Sequence, residues 1–320
     1  MTRPERLGLW LGFAGVAVFA LTLPMTRLAV GTPDAPQLSG VFIAAGRAVV
    51  AGILSVLLLV ATRARRPTRS QWKPLALTSL GVVFGFPLFT SIAMRHVHAV
   101  HASVIVGVLP LATAVVGALL HRQRPSPGFW ICAVAGSGLV VAYALLQSGA
   151  GLHLAPADAL LLAAMACAAV GYGYGGRLSS QMRADHVICW ALVMALPVTV
   201  PAAALTLPSH AIDASAWWAF GYVAVFSMWI GFFAWYRGLA LGGTVRVSQV
   251  QLVQPFLSML FAIPLLGESI DGLTMAFSLA VVATVFVGRR MPIGAPASTA
   301  RPAIAATLAP RAAQLPSEST

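Results

Sequence analysis

Apolar residues run along this chain in ten long stretches separated by short polar gaps, from about residue 7 to about residue 288. A helix needs roughly 20 predominantly apolar residues to cross a hydrocarbon core of ~30 Å. The stretches cover approximately residues 7–29, 38–61, 74–94, 99–120, 128–147, 157–177, 187–207, 216–238, 245–266 and 271–288. The pattern predicts an all-α integral membrane protein with ten transmembrane helices.

The cationic residues divide the gaps into two alternating kinds. Arg3 and Arg6 precede the first stretch, and Arg63, Arg65, Arg66, Arg69 and Lys73 follow the second. Arg122 and Arg124 follow the fourth, Arg177 and Arg183 the sixth, Arg237 and Arg246 the eighth, and Arg289 and Arg290 the tenth. The gaps after the first, fifth, seventh and ninth carry no Lys or Arg, and the gap after the third carries only Arg95. Cytoplasmic loops of membrane proteins hold the excess of Lys and Arg. Both termini are therefore expected in the cytoplasm, as in a bacterial inner-membrane protein.

With 59% hydrophobic and 9% charged residues, little polar sequence is left for a separate soluble domain. The net charge of +12 is spread over short loops at one membrane face, not gathered on a folded basic surface. That distribution suits the acidic phospholipid surface as partner and argues against nucleic acid. Cys132, Cys167 and Cys189 fall inside apolar stretches without metal-ligand spacing, so neither a disulfide nor a zinc site is expected. The first stretch is too long for an ordinary signal peptide and reads as a retained span. Residues 291–320, rich in Ala, Pro and Ser, read as a disordered cytoplasmic tail.

The two halves echo each other. Aligning Pro110 with Pro255 brings Ser103 onto Ser248 and Gln123 onto Glu268 without a gap. Gly85-Phe86 matches Gly231-Phe232 with one inserted residue, and Arg27-Leu28 matches Arg177-Leu178. These matches predict two units of five helices, residues 1–148 and 149–290. Five is odd, so the two enter the bilayer in opposite directions, the inverted repeat of secondary transporters with a site near the midplane.

The chain resembles the drug/metabolite transporter superfamily, in particular its EamA-type members with five plus five helices. The resemblance rests on the run Phe19 to Arg27, on Gly46-Arg47, on the two proline-centred helices and on Leu266-Gly267-Glu268. It covers about residues 7–290 and implies a transporter of small organic solutes, many relatives being exporters of amino acids or metabolites. Relatives commonly carry an acidic residue after the fourth helix, where this chain has Gln123.

Helix periodicity selects candidate path-lining residues. On the ninth stretch Ser248, Gln251, Gln254, Pro255 and Ser258 share about a third of the circumference, with Gln249 opposite. Ser103, Gly107, Pro110, Thr113 and Gly117 form a comparable face on the fourth, and Gly12, Gly15, Phe19, Thr22 and Thr26 on the first. Lipid satisfies no hydrogen bonds, so such faces turn toward protein or a wet cavity. Pro110 and Pro255 each remove a helical hydrogen bond, which allows either rocking or a static kink. Phe19, Phe89, Tyr172, Tyr174, Trp229 and Trp235 are candidate aromatic linings, although Trp and Tyr also collect at membrane interfaces.

Arg47 lies about six residues into the second stretch, ~9 Å from its outer end. Three roles are open to it: attracting a substrate carboxylate, bonding backbone carbonyls, or snorkelling to headgroups. The outer cluster Arg95, His96, His98 and His101 contains a candidate pH-sensitive gate in His101. Every carboxylate lies outside the middle of a span, leaving Glu268 and Asp158 at outer helix ends as the nearest candidates for proton coupling or gating. No metal or cofactor is expected.

The reading that follows is a secondary transporter exporting a small organic solute by alternating access. An importer or exchanger of an anionic metabolite through Arg47 is the alternative. GxxxxGK[ST] is missing, which argues against direct ATP use, and no HExxH, GxSxG or paired DxxD supports a lipid-modifying enzyme. Monomer and homodimer both remain open.

Overall fold

The structure, a computed structural model, describes residues 3–120, 124–147, 155–242, 247–291 and 293–294. Helices account for nearly all of them. The first half contains α1 (Arg3–Val30), α2 (Gly40–Ala61), α3 (Arg69–Ala93), α4 (Ala99–Gly117, continuing to Leu120) and α5 (Pro127–Gln147). The second contains α6 (Pro156–Leu178), α7 (Ala184–Leu205), α8 (Ala214–Gly242), α9 (Val250–Leu266) and α10 (Gly272–Arg290). Among the described residues, α1–α4 and α6–α8 make 7 helices long and apolar enough to cross a membrane. The apolar parts of the other three, Pro127–Tyr143, Val250–Leu266 and Gly272–Thr284, are shorter. A two-residue antiparallel pairing joins Arg124–Pro125 to Ile293–Gly294, at the start of the segment expected to be a tail. The rest of that segment lies outside the described residues.

Local chemistry sets the helix ends. The Ser39 hydroxyl accepts the N–H of Phe42 at 3.0 Å and opens α2. Thr68 and Gln71 form a reciprocal capping box at the start of α3. Gly267, with φ of 67°, closes α9 in the left-handed conformation that only glycine adopts cheaply, and its N–H reaches Ile263 O at 3.0 Å.

Packing pairs helices across the halves. α1 runs along α8 and α6 runs along α3, while α2 meets α7, α4 meets α9 and α5 meets α10. Exchanging the halves leaves this set of pairings unchanged. Glycine makes the two long crossings possible. A Cβ on Gly238 would lie 2.8 Å from the Gly12 nitrogen and 2.9 Å from the Gly8 carbonyl oxygen. One on Gly81 would lie 2.7 Å from the nitrogen of Gly171. Backbones in lipid gain van der Waals contact by such close approach, since water drives no helices together there. Large apolar side chains such as Ile53, Leu57, Val60, Leu205 and Leu279 face outward, as a lipid-exposed surface requires.

The irregular turns also correspond. α3 carries a π-helical segment at Ser79–Gly85 and α8 one at Val223–Ile230. α4 breaks at Gly107 and Val108, just before Pro110, and the 3-10 segment Ser248–Val253 leads into α9 just before Pro255. Proline has no N–H for the carbonyl four residues earlier, so Val106 and Gln251 lose their α-helical acceptor role and the turn between changes pitch.

Candidate functional site

A vestibule of about 810 Å³ opens at one end of the bundle. The C-terminal ends of α1, α5 and α9 and the N-terminal ends of α6, α8 and α10 meet around it, together with the link between α3 and α4. Its volume falls in the range of small-molecule sites, roughly 300–1,000 Å³. Asp158, Asp213, Glu268 and Asp271 line it, and each carboxylate has a local partner. Asp213 and Gln37 exchange two hydrogen bonds of 2.9 Å across the halves. Asp271 accepts the Thr274 N–H at 2.7 Å.

Glu268 is occupied by helix α4. Its two oxygens accept the backbone N–H groups of Ala99 at 2.8 Å and Val100 at 2.7 Å, capping that N-terminus. His98 Nδ1 stands 3.6 Å from the same carboxylate on the exposed side. His101 points inward, its Nε2 2.6 Å from Oδ1 of Asp158, which is 1% exposed. The His101 ring lies 5.1 Å from that of Tyr143, whose hydroxyl bonds Thr274 at 2.9 Å. The histidine cluster read from the sequence therefore divides. His96 and His98 are exposed, His101 is half-buried against an acid, and Arg95 donates to the carbonyls of Val30 (3.2 Å) and Leu38 (2.7 Å). Burial lowers the pKa of the Arg95 guanidinium from its ordinary value. No group of three His, Cys, Asp or Glu able to hold a metal occurs among the described residues.

About 8 to 12 Å deeper along α1 lies a narrow cavity of about 10 Å³, room for one water at most. Phe19, Thr22, Arg47, Phe86, Tyr172, Ser227, Phe232 and Gln254 are among its lining residues, drawn from α1, α2, α3, α6, α8 and α9. Both π-helical segments reach it, through Val82 and Ser227. Such segments cost backbone hydrogen-bond quality and concentrate at functional sites. Phe19 packs at 5.0 Å from Phe232 and 6.4 Å from Tyr172, and Tyr172 at 5.7 Å from Trp235.

Arg47 is 1% exposed, and the guanidinium has one partner: Nη2 donates to Ser227 Oγ at 3.0 Å. Ser227 Oγ in turn shares a 2.8 Å hydrogen bond with Thr22 Oγ1. Arg47 Nε and Nη1 have no partner among the described residues. Of the roles open to it from sequence, neither the carbonyl contact nor the snorkelling position is what the structure contains. Gln254 Oε1, from a residue that lines the same cavity, and both amide atoms of Gln251 are likewise buried without a partner among the described residues.

The other expected lining residues divide by where their polar atoms go. Ser103 Oγ donates to Ala99 O at 2.7 Å within its own helix, and Ser258 Oγ donates to Ala20 O at 2.7 Å, tying α9 to α1. Gly107 and Pro255 face one another across the α4–α9 contact, and Pro110 is buried. Phe89 and Tyr174 are half-buried and line neither cavity; Phe86 takes the place expected of Phe89. Trp235 is buried behind Phe19 and Tyr172. The side chain of Ser248 lies outside the described residues, as does Gln123. Ser227, Phe86 and Phe232 were missed. The repeated Gly-Phe pair pointed to the two phenylalanines, which line one cavity from matching helices; nothing local to Ser227 marks it.

The EamA-like transporter family matches the chain twice, over residues 6–144 and 155–288. An uncharacterized transporter, YdeK, of Bacillus subtilis (strain 168) is 42% identical over 281 residues, which cover 87% of this chain and 96% of that protein. A solved crystal structure titled only as that of a protein superposes with a TM-score of 0.60 at 20% identity, covering 88% of this chain and 96% of the other. That likeness concerns the fold alone. With both halves matched and a transporter of this identity spanning nearly its whole length, the chain belongs to the EamA-like transporter family.

Proposed function

We propose that this multi-pass membrane transporter is built as two inverted five-helix repeats, ten crossings in all, and exports a small organic solute, such as an amino acid or metabolite, by alternating access. The reciprocal pairing of α1 with α8 and α6 with α3 supports the repeat. So do the π-helical segments and proline-preceded irregular turns at corresponding places.

The vestibule faces outward in this reading. Exposed Arg63, Arg65, Arg66, Lys73, Arg177 and Arg183 sit at the helix ends away from it, and the positive-inside rule assigns that end, with both termini, to the cytoplasm of a bacterial cell. The single observation that carries the function is the stacking of an open vestibule over a narrow buried cavity that holds Arg47 between the halves. This is the layout of a site open to one side at a time. Closure of the vestibule and opening of the opposite end complete the cycle. The proline-bent α4 and α9 are the moving elements.

His101 and Asp158 form the proton-coupling pair in this scheme. The ionisable groups around the pair are Tyr143 beside His101 and Arg27, His98, Glu268 and Asp271 on the vestibule wall. Glu268 acts on gating by holding the α4 N-terminus. The test is to compare solutes in the medium of deletion and overexpression strains, then measure the identified solute in proteoliposomes. Export predicts accumulation in the medium on overexpression and flux driven by an imposed proton gradient. Flux of no solute in either assay would sink the reading.

A further inference from the structure

The unpaired charge at the centre specifies the chemical class of the solute. We propose that Arg47 is the anchor for a carboxylate on a compact apolar body. This rests on the transporter reading and narrows its substrate.

A buried guanidinium without a counter-ion is costly in a low-dielectric interior, and such residues inside membranes are paired or functional. Among the described residues Arg47 has no such ion: the ion pairs there join His98 to Glu268, His101 to Asp158 and Arg183 to Asp185. One hydroxyl, that of Ser227, takes Nη2, and Nε and Nη1 have no acceptors among the described residues beside the cavity. A carboxylate is the group that satisfies both needs, since it cancels the charge and accepts several N–H donors. A neutral hydroxyl or carbonyl cancels no charge, and an ammonium adds a second cation.

The body of the solute is set by the walls. Phe19, Phe86, Tyr172 and Phe232 line the cavity beside Arg47, and its polar groups besides the guanidinium are the Thr22, Ser227 and Tyr172 hydroxyls and the Gln254 amide, whose Oε1 has no partner among the described residues. The cavity holds only about 10 Å³ as it stands, so binding requires the helices around it to part. Ser227, the one partner of Arg47, sits in the π-helical segment of α8, so tightening that segment to α-helical pitch would displace the hydroxyl and free Nη2 as well.

Benzoate, benzyl alcohol and benzylamine share a ring and differ in the head group. Calorimetric titration of each into the purified protein in nanodiscs is expected to give binding for benzoate, with at least tenfold weaker affinity for the alcohol and the amine. Arg47→Gln is expected to weaken benzoate at least tenfold, and Arg47→Lys, which keeps the charge, by less. Where Arg47→Gln fails to fold, the wild-type protein supplies the same information. Phenylglyoxal modification of Arg47, read by mass spectrometry, should be slowed by benzoate and not by benzylamine. Equal affinity for the amine, or unchanged benzoate affinity and unaltered modification of Arg47, overturns the assignment. Flux of an amine or neutral solute that benzoate does not inhibit would overturn the carboxylate site and leave the transporter standing. Benzoate binding at Arg47 with flux of no solute would overturn transport instead.

Discussion

His101 Nε2 lies 2.6 Å from Asp158 Oδ1, so the fourth helix of the first half and the first helix of the second meet at the vestibule wall in a half-buried acid–base pair. The two partners are not equivalent. His101→Ala leaves a carboxylate that is 1% exposed without its side-chain partner, whereas Asp158→Asn leaves an amide that still offers the ring a hydrogen-bonding group. Stability measured by denaturant in detergent should fall by about 3 kcal/mol for the first and about 1 kcal/mol for the second. The double variant should cost less than the sum, because the pair is lost only once. Strict additivity would show that the two residues are not coupled.

Gly238 and Gly221 lie on the same helix and should respond with opposite signs to the same added methyl group. At Gly238 the new Cβ would meet the Gly12 and Gly8 backbone, which has no flexible end to move aside. Gly238→Ala is expected to cost about 1–3 kcal/mol through overpacking. At Gly221 nothing stands within 4 Å of the added atom, so Gly221→Ala should gain about 0.5–1 kcal/mol of helix stability. Thermal unfolding of the two purified variants decides it. A tolerated Gly238→Ala would mean that α1 and α8 do not approach as described.

Gln251 carries a buried amide, 1% exposed, with neither atom bonded among the described residues. Leucine has similar bulk and no polar group to leave unsatisfied, so Gln251→Leu should raise stability by about 1 kcal/mol. Transport of the identified solute should fall at the same time, if the amide finds its partners when the site opens. A variant that is more stable and fully active would reduce Gln251 to a packing residue.

The orientation is open to cysteine labelling at exposed positions in a cysteine-free background. Single cysteines at Ser209 and Gly272 should react with a membrane-impermeant maleimide in intact cells. Cysteines at Arg66 and Arg183 should react only after the membrane is opened. The reverse pattern at both pairs would place the vestibule on the cytoplasmic side.

Much of this protein is written locally. Membrane class follows from the length and polarity of each apolar run, since a hydrocarbon slab of fixed thickness imposes that requirement on every helix separately. The glycine steps Gly81–Gly85, Gly171–Gly175 and Gly238–Gly242 and the breaks before Pro110 and Pro255 likewise depend on short-range geometry. Even the pairing of halves left a trace, in the repeated Gly-Phe at Phe86 and Phe232.

The site was decided elsewhere. Ser103, Ser227 and Ser258 are indistinguishable as residues in apolar helices. One bonds its own helix, one bonds Arg47 from 180 positions away, and one ties α9 to α1. Tyr172 and Tyr174, two positions apart, are separated by about 200° around α6, and only Tyr172 meets the cavity. Which face of a membrane helix turns inward depends on where its neighbours stand, because no water outside draws the polar side out. That is a property of the assembled bundle: the sequence determines helical, membrane-spanning character and the places of glycine and proline through local constraints, while the gathering of side chains from α1, α3, α4, α6, α8 and α9 around the Arg47 cavity exists only once the halves are packed together.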